Sequence, residues 1–117
     1  MLIQLIAKSL SPCRVRIESQ GDYEVGNAYY QPNSGEIETQ MAKFQITNKD
    51  IKTFESGFIT VQDVKFYCIE DHLIGIGDVI IMDDKEFTIL HIADYFREKH
   101  YRIYFSRERT ANGIQNN

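Results

Sequence analysis

The sequence predicts a mainly β fold, a small SH3-like or OB-like β-barrel with one short helix and a long projecting loop. Three observations carry that expectation. Seven Tyr and seven Phe stand beside no Trp, and Tyr and Phe join β-branched residues on pleated, half-buried surfaces. Five or six short stretches alternate or pair across turn signals, and one alone has helical spacing. Finally, 117 residues at 43% hydrophobic and 26% charged suit one core. A chain of that length buries roughly two-thirds of its unfolded surface and folds without staples. We therefore expect a single domain over 1–117, with no internal repeat.

The elements follow in chain order. Cys13 to Ser19 alternates, with Val15 and Ile17 on one face and Arg14, Arg16 and Glu18 on the other, and Pro12 marks its start. From Gln20 to Thr39, Gly21, Gly26, Asn27, Pro32, Asn33, Ser34 and Gly35 form heavy turn punctuation. Tyr23, Tyr29 and Tyr30 lie within it, and aromatics argue against plain disorder. Two readings stand: a short hairpin packed on the barrel, or a projecting loop that binds a partner. Glu36 to Ile46 returns as a strand carrying Ile37, Met41, Phe44 and Ile46.

Thr47 then caps the one clear helix, with Asp50 three residues on and Gly57 as a left-handed stop. About two and a half turns cannot stand alone, so Ile51 and Phe54 must pack onto the sheet. Phe58 to Glu70 is the longest strand signal. Its parity changes between Val61 and Val64, which predicts a β-bulge near Gln62 and Asp63 or a bend between two shorter strands. Gly75-Ile76-Gly77-Asp78 is a turn into Val79 to Met82. Asp83, Asp84 and Lys85 form a tight turn, and Glu86 to Ile92 runs back as the hairpin partner. Phe96 to Lys99 is the next turn, and His100 to Arg107 the last strand. Its faces are Tyr101, Ile103 and Phe105 against Arg102, Tyr104 and Ser106. Residues 108–117 read as a frayed tail.

Several function classes find no support in the residues. Thirteen Lys and Arg against seventeen Asp and Glu give a net charge of −4, which counts against a general nucleic-acid binder. Cys13 and Cys68 form no spaced motif and read as buried hydrophobes or free thiols. The longest apolar stretch, Met1 to Ala7, is too short to cross a membrane, so no membrane partner is expected and the protein should stay where it is made. His72, His91 and His100 lack zinc spacing. Asp83-Asp84 occupies a turn that favours aspartate, without the alternate oxygen ligands of a calcium loop. Gly75-Ile76-Gly77 leads into a strand, whereas phosphate cradles lead into a helix. No nucleophile stands in a known signature. No catalytic residue, cofactor or metal is therefore expected. Tyr95, Phe96, Arg97, Lys99, Tyr101, Arg102, Tyr104, Arg107 and Arg109 interleave aromatic and basic groups, as single-strand binders do. An amphipathic strand gives the same pattern, and the acidic total favours that reading.

One resemblance spans about three-quarters of the chain, from Gly21 to Arg107, in the order of its local features. The motifs are Ala42-Lys43-Phe44-Gln45, a helix over 48–56, Gly57, a strand over 61–69, Gly77-Asp78-Val79-Ile80, Phe87-Thr88-Ile89-Leu90, Ala93-Asp94-Tyr95 and His100-Tyr101-Arg102. In this order they resemble the phage head-tail joining (head-closure, or stopper) proteins of long-tailed phages. This chain has Ile46 where that family commonly has Pro. The resemblance implies a structural virion protein, made in the host cytoplasm, that forms a homo-oligomeric ring below the portal. Such a ring would contact portal-adaptor and tail-completion proteins, retain packaged double-stranded DNA without reading its sequence, and dock the tail. The loop over 20–39 then supplies the assembly-interface candidates Tyr23, Tyr29, Tyr30 and Gln31. A small OB-like or SH3-like nucleic-acid-binding module is the alternative, and a peptide-binding adaptor the third reading.

Overall fold

The computed structural model describes residues 2–18, 23–25, 28–30 and 35–109. Its elements are α1 (Leu2–Lys8), β1 (Ser11–Arg16), β2 (Tyr23–Val25), β3 (Ala28–Tyr30), β4 (Glu36–Gln45), α2 (Asn48–Thr53), β5 (Val64–Cys68), β6 (Val79–Met82), β7 (Lys85–Tyr95), α3 (Phe96–Lys99) and β8 (Tyr101–Glu108). Six strands close into an antiparallel barrel in the order β1-β4-β5-β8-β7-β6, and β2-β3 forms a separate two-stranded sheet. Closure runs through β1, which pairs with β4 from Ser11↔Met41 to Arg16↔Glu36 and with β6 from Arg14↔Ile81 to Arg16↔Val79. The mainly β barrel is the fold the alternating stretches predict.

Two cores hold it. Val15, Met41, Phe66, Cys68, Ile80, Phe87, Ile89 and Tyr104 fill the barrel. Ala42, Tyr67, Tyr101, Ile103 and Phe105 face outward and are covered by Ile6 of α1, Ile51 of α2 and the following Phe54 and Ile59. Period-2 alternation puts neighbours such as Met41 and Ala42 on opposite faces. Here both faces of β5 and β8 are covered, so the polar–apolar reading of β8 is corrected: Tyr104 and Ser106 lie in the interior and are fully buried.

The capping box of α2 forms as its residues predict. Asp50 N donates to Thr47 Oγ1 at 3.2 Å, and Thr47 N donates to Asp50 Oδ2 at 2.9 Å. Its predicted end is corrected. The helix stops at Phe54, whose extended backbone sets its ring 5.0 Å from Phe105 and 4.9 Å from His91. Gly57 is left-handed at φ 85° but belongs to the turn beyond. Two further helices, α1 and α3, join the expected one. In α3 the predicted turn closes helically, as His100 at φ 68° donates its amide to Phe96 O at 3.0 Å.

The strand over 58–70 is also corrected. Only Val64–Cys68 is β structure, and the parity change arises from a turn rather than a bulge. Asp63 N donates to Thr60 O at 3.1 Å, and Asp63 Oδ2 accepts from Thr60 N at 2.8 Å. The barrel's bulge lies in β7 instead, where the register shifts between Ile89 and His91. One extra residue there keeps both Ile89 and Ile92 against the interior cluster. The predicted β6–β7 hairpin forms with a tighter turn: Asp83 and Asp84 at φ 54° and 64° make the mirror-image turn that matches strand twist, and Lys85 already pairs with Met82 in β7, which runs on to Tyr95. At the C-terminal end, Glu108 pairs with Phe87 and Arg109 N donates to Glu86 O at 2.8 Å. These two residues therefore leave the expected frayed tail, whose remainder, 110–117, lies outside the described residues.

Asp63 yields a pH prediction. Its buried carboxylate accepts from Arg107 Nε at 2.8 Å and Nη2 at 3.0 Å. Burial pushes its pKa up, but the bonds from Arg107 and Thr60 outweigh that and hold it below the ordinary aspartate value. A carboxylate depressed in the folded state stabilises above its unfolded pKa and loses that contribution as pH falls through the folded one. Asp63→Asn should therefore flatten the acid limb of a melting-temperature profile below about pH 4. It should also cost about 2 kcal/mol at neutral pH through the lost charge-assisted bonds. An unchanged acid limb would refute the assignment.

Candidate assembly site at the barrel mouth

Strand directions gather several features at one end of the barrel. β1 and β5 finish there, β4, β6 and β8 begin there, and α3 turns the chain from β7 into β8. The chain from 17 to 35 leaves between β1 and β4, two strands paired along their length. The connection over 69–78 runs from β5 to β6, on opposite sides of the six-strand ring, and so crosses the mouth. Its Ile74 packs against the interior cluster.

Polar contacts fix this crossing loop at both ends. The fully buried Asp78 accepts from Gly75 N at 2.8 Å and from Glu18 N at 2.9 Å. One carboxylate thus ties the loop to the root of the 17–35 excursion. Gly77 N and Asp78 O bond Ile89 at 2.8 and 2.9 Å. At the other end the Thr39 hydroxyl donates to Glu70 Oε1, and His72 Nε2 lies 2.9 Å from Thr39 Oγ1 and 3.1 Å from Glu70 Oε1. The Thr39 and His72 bonds hold Glu70 below the ordinary carboxylate range. Arg102 joins Asp71 at 2.7 Å and Asp94 at 3.1 Å while its guanidinium lies 4.8 Å from the Phe96 ring centroid.

Ion pairs brace the excursion on both sides. Arg14 meets Glu36 at 2.8 Å. Arg16 reaches Glu18 at 2.5 Å and Glu86 at 3.0 Å, and Arg109 meets Glu18 at 3.1 Å. Hydrogen bonds from Arg16, reinforced by Arg109, hold the Glu18 and Glu86 pKa values down.

The assembly-interface candidates fall on the excursion. Tyr23 lies opposite Tyr30 and Glu24 opposite Tyr29 in the β2–β3 register. Gln31 lies outside the described residues. The expected loop is shorter than 20–39, because residues 36–39 belong to β4 and pair with β1.

The aromatic-basic stretch near the end resolves into packing and ion pairs. Tyr101 and Tyr104 are buried. Arg102, Arg107 and Arg109 each meet carboxylates, and Lys99 lies over the Tyr95 ring. His91 stacks edge-on against Phe54. Cys13 and Cys68 are free and sit on strands flanking β4. Two strand spacings are roughly 9–10 Å, beyond the roughly 7 Å that a disulfide spans. Burial first, then the nearby Cys68 and Glu70, pushes the Cys13 thiol up to about 12, so it is a packed thiol rather than a nucleophile. Among the described residues, no three His, Cys, Asp or Glu side chains converge as a metal site, and no helix is long and apolar enough to cross a membrane.

Sequence reading missed the anchoring role of Asp78, the Thr39–Glu70–His72 cluster and α1. Gly77-Asp78 reads in sequence as a turn and a local motif with no tertiary partner, and Thr39 and His72 meet across 33 positions. The fold and mouth define a class: a small closed antiparallel barrel with a braced excursion at one end. No protein-family model matches the chain, and a search of curated proteins finds no match either.

Proposed function

We propose that this chain is the head-closure subunit of a long-tailed phage, a virion protein that forms a ring below the portal, retains packaged DNA and docks the tail. The observation that carries the reading is the excursion between β1 and β4. It bears its own two-stranded ribbon, and its root is pinned to the mouth by Asp78 and Glu18. Among the described strands, β2 and β3 pair only with each other, which leaves edge groups for a neighbour. The order of motifs from Ala42 to Arg102 supports the same reading. Portal-adaptor and tail-completion proteins are then the partners above and below, and DNA passes without base readout. The nucleic-acid-binding module has less support, because three of the cations it would use, Arg102, Arg107 and Arg109, are already matched by carboxylates and two of its tyrosines are buried.

A null allele in the encoding phage, viewed by electron microscopy of the lysate, tests this. Free tails beside heads emptied of DNA are the expected result, and intact tailed particles would overturn the proposal. An allele with Tyr29→Ala and Tyr30→Ala removes both aromatics of β3. It should reproduce the null lysate while the purified protein keeps its wild-type melting temperature. Normal infectivity would remove the ribbon from the interface.

A further inference from the structure

Two separate apolar surfaces remain exposed. The mouth-crossing loop is fixed at both ends by hydrogen bonds yet holds Leu73 86% and Ile76 57% exposed. Single exposed apolar residues are ordinary, but these two stand on a loop already held in shape, so little ordering entropy opposes a contact there. The second surface is α1. Ile6 alone is buried, and Leu2, Ile3 and Leu5 remain 43%, 39% and 50% exposed. Gln4 and Lys8 form its one polar stripe, and the apolar surface on the remaining sides of such a helix is normally covered.

The surroundings of the two surfaces are opposite in charge. Glu70 and Asp71 lie three and two positions before Leu73, Asp71 shares the single Arg102 with Asp94, and the loop over 69–78 contains no Lys or Arg. The helical layer over the outer core exposes Lys8, Lys49 and Lys52 against one exposed acid, Glu55, while its Asp50 is paired with Lys65. We infer that the α1 face of one copy docks onto the mouth loop of a second copy, Leu2, Ile3 and Leu5 meeting Leu73 and Ile76. Self-pairing of either surface would oppose like charges, whereas the cross-pairing opposes unlike ones. A contact between two different surfaces is heterologous, and it closes into a ring when its rotation permits. The inference deepens the ring reading and rests on it for closure only.

Complementation between two variants of the full chain tests it. Leu73→Lys breaks the loop surface, and Leu5→Glu breaks the helix surface. Both positions are exposed, so both variants should keep the wild-type circular dichroism and melting transition. By sedimentation velocity up to about 1 mM, the range for contacts of modest area, the wild type should self-associate and each variant alone should lose that association. Mixed in equal amounts, the two should form a heterodimer and stop there, since each retains one intact surface. A monomeric wild type would overturn the inference, as would variants that still associate or a mixture that stays monomeric. None of these results touches the phage allele, whose lysate judges the head-closure reading separately.

Discussion

Asp78→Ala should lower the unfolding free energy by about 3 kcal/mol, from at least two charge-assisted bonds at roughly 1.5–3 kcal/mol each, offset in part by the removed burial of a charge. The carboxylate is fully buried and accepts from Gly75 N and Glu18 N, so alanine takes the acceptor from both amides at once. The loss should be local as well as global. Amide exchange at Glu18 and Gly75 should accelerate more than exchange in β5 or β8, because the mouth loop and the excursion root lose their shared tether. Asp78→Asn keeps the shape and one acceptor oxygen, so it should cost less than alanine. Urea unfolding with an unchanged m-value reads the first effect, and site-resolved exchange reads the second. An alanine variant within about 1 kcal/mol of wild type, a small effect for so buried a group, would mean that Asp78 is not the anchor.

Phe66→Ala is expected to cost about 4 kcal/mol, the range for emptying a fully buried aromatic site. Phe66 is fully buried inside the barrel, paired in register with Lys43 on one side and Tyr104 on the other. Its ring meets Phe87 edge-on at 5.1 Å between centroids, so the truncation also forfeits an aromatic contact of about 1 kcal/mol. Barrel strands cannot collapse independently into the void, because each is held by hydrogen bonds on both sides. Domains of this size have only about 5–15 kcal/mol in hand, so the variant should sit near the edge of folding. Phe66→Leu should lose about half as much. Phe44, half-buried in the outer cluster, should tolerate alanine better than Phe66 does. Equal losses at the two positions would show that the interior cluster does not dominate stability.

What the sequence by itself determined was local or periodic in origin. Alternation in Cys13–Ile17 and Tyr101–Ser106 required strands. The Thr47–Asp50 pair required a helix start, and Asp83-Asp84 required a tight turn whose backbone tolerates positive φ. Together these gave a mainly β barrel, because so many short strands in one small chain must close or pair. The tyrosine positions 23, 29 and 30 also marked the excursion without tertiary help.

Tertiary structure alone decided the rest. Which face of β8 was interior could not be read, since both faces are buried and alternation then loses its contrast. The end of α2 was set by Phe54 turning out to reach Phe105 and His91, a contact invisible to helix-capping rules. The bulge moved to β7 because Asp63, joined to Thr60 and Arg107, makes a turn that mimics a bulge's change of parity. The mouth itself joins Thr39 to His72 and Glu18 to Asp78, pairs 33 and 60 positions apart. No local pattern encodes such contacts; they exist only once closure of the barrel has brought β1, β4, β5 and β6 to one end.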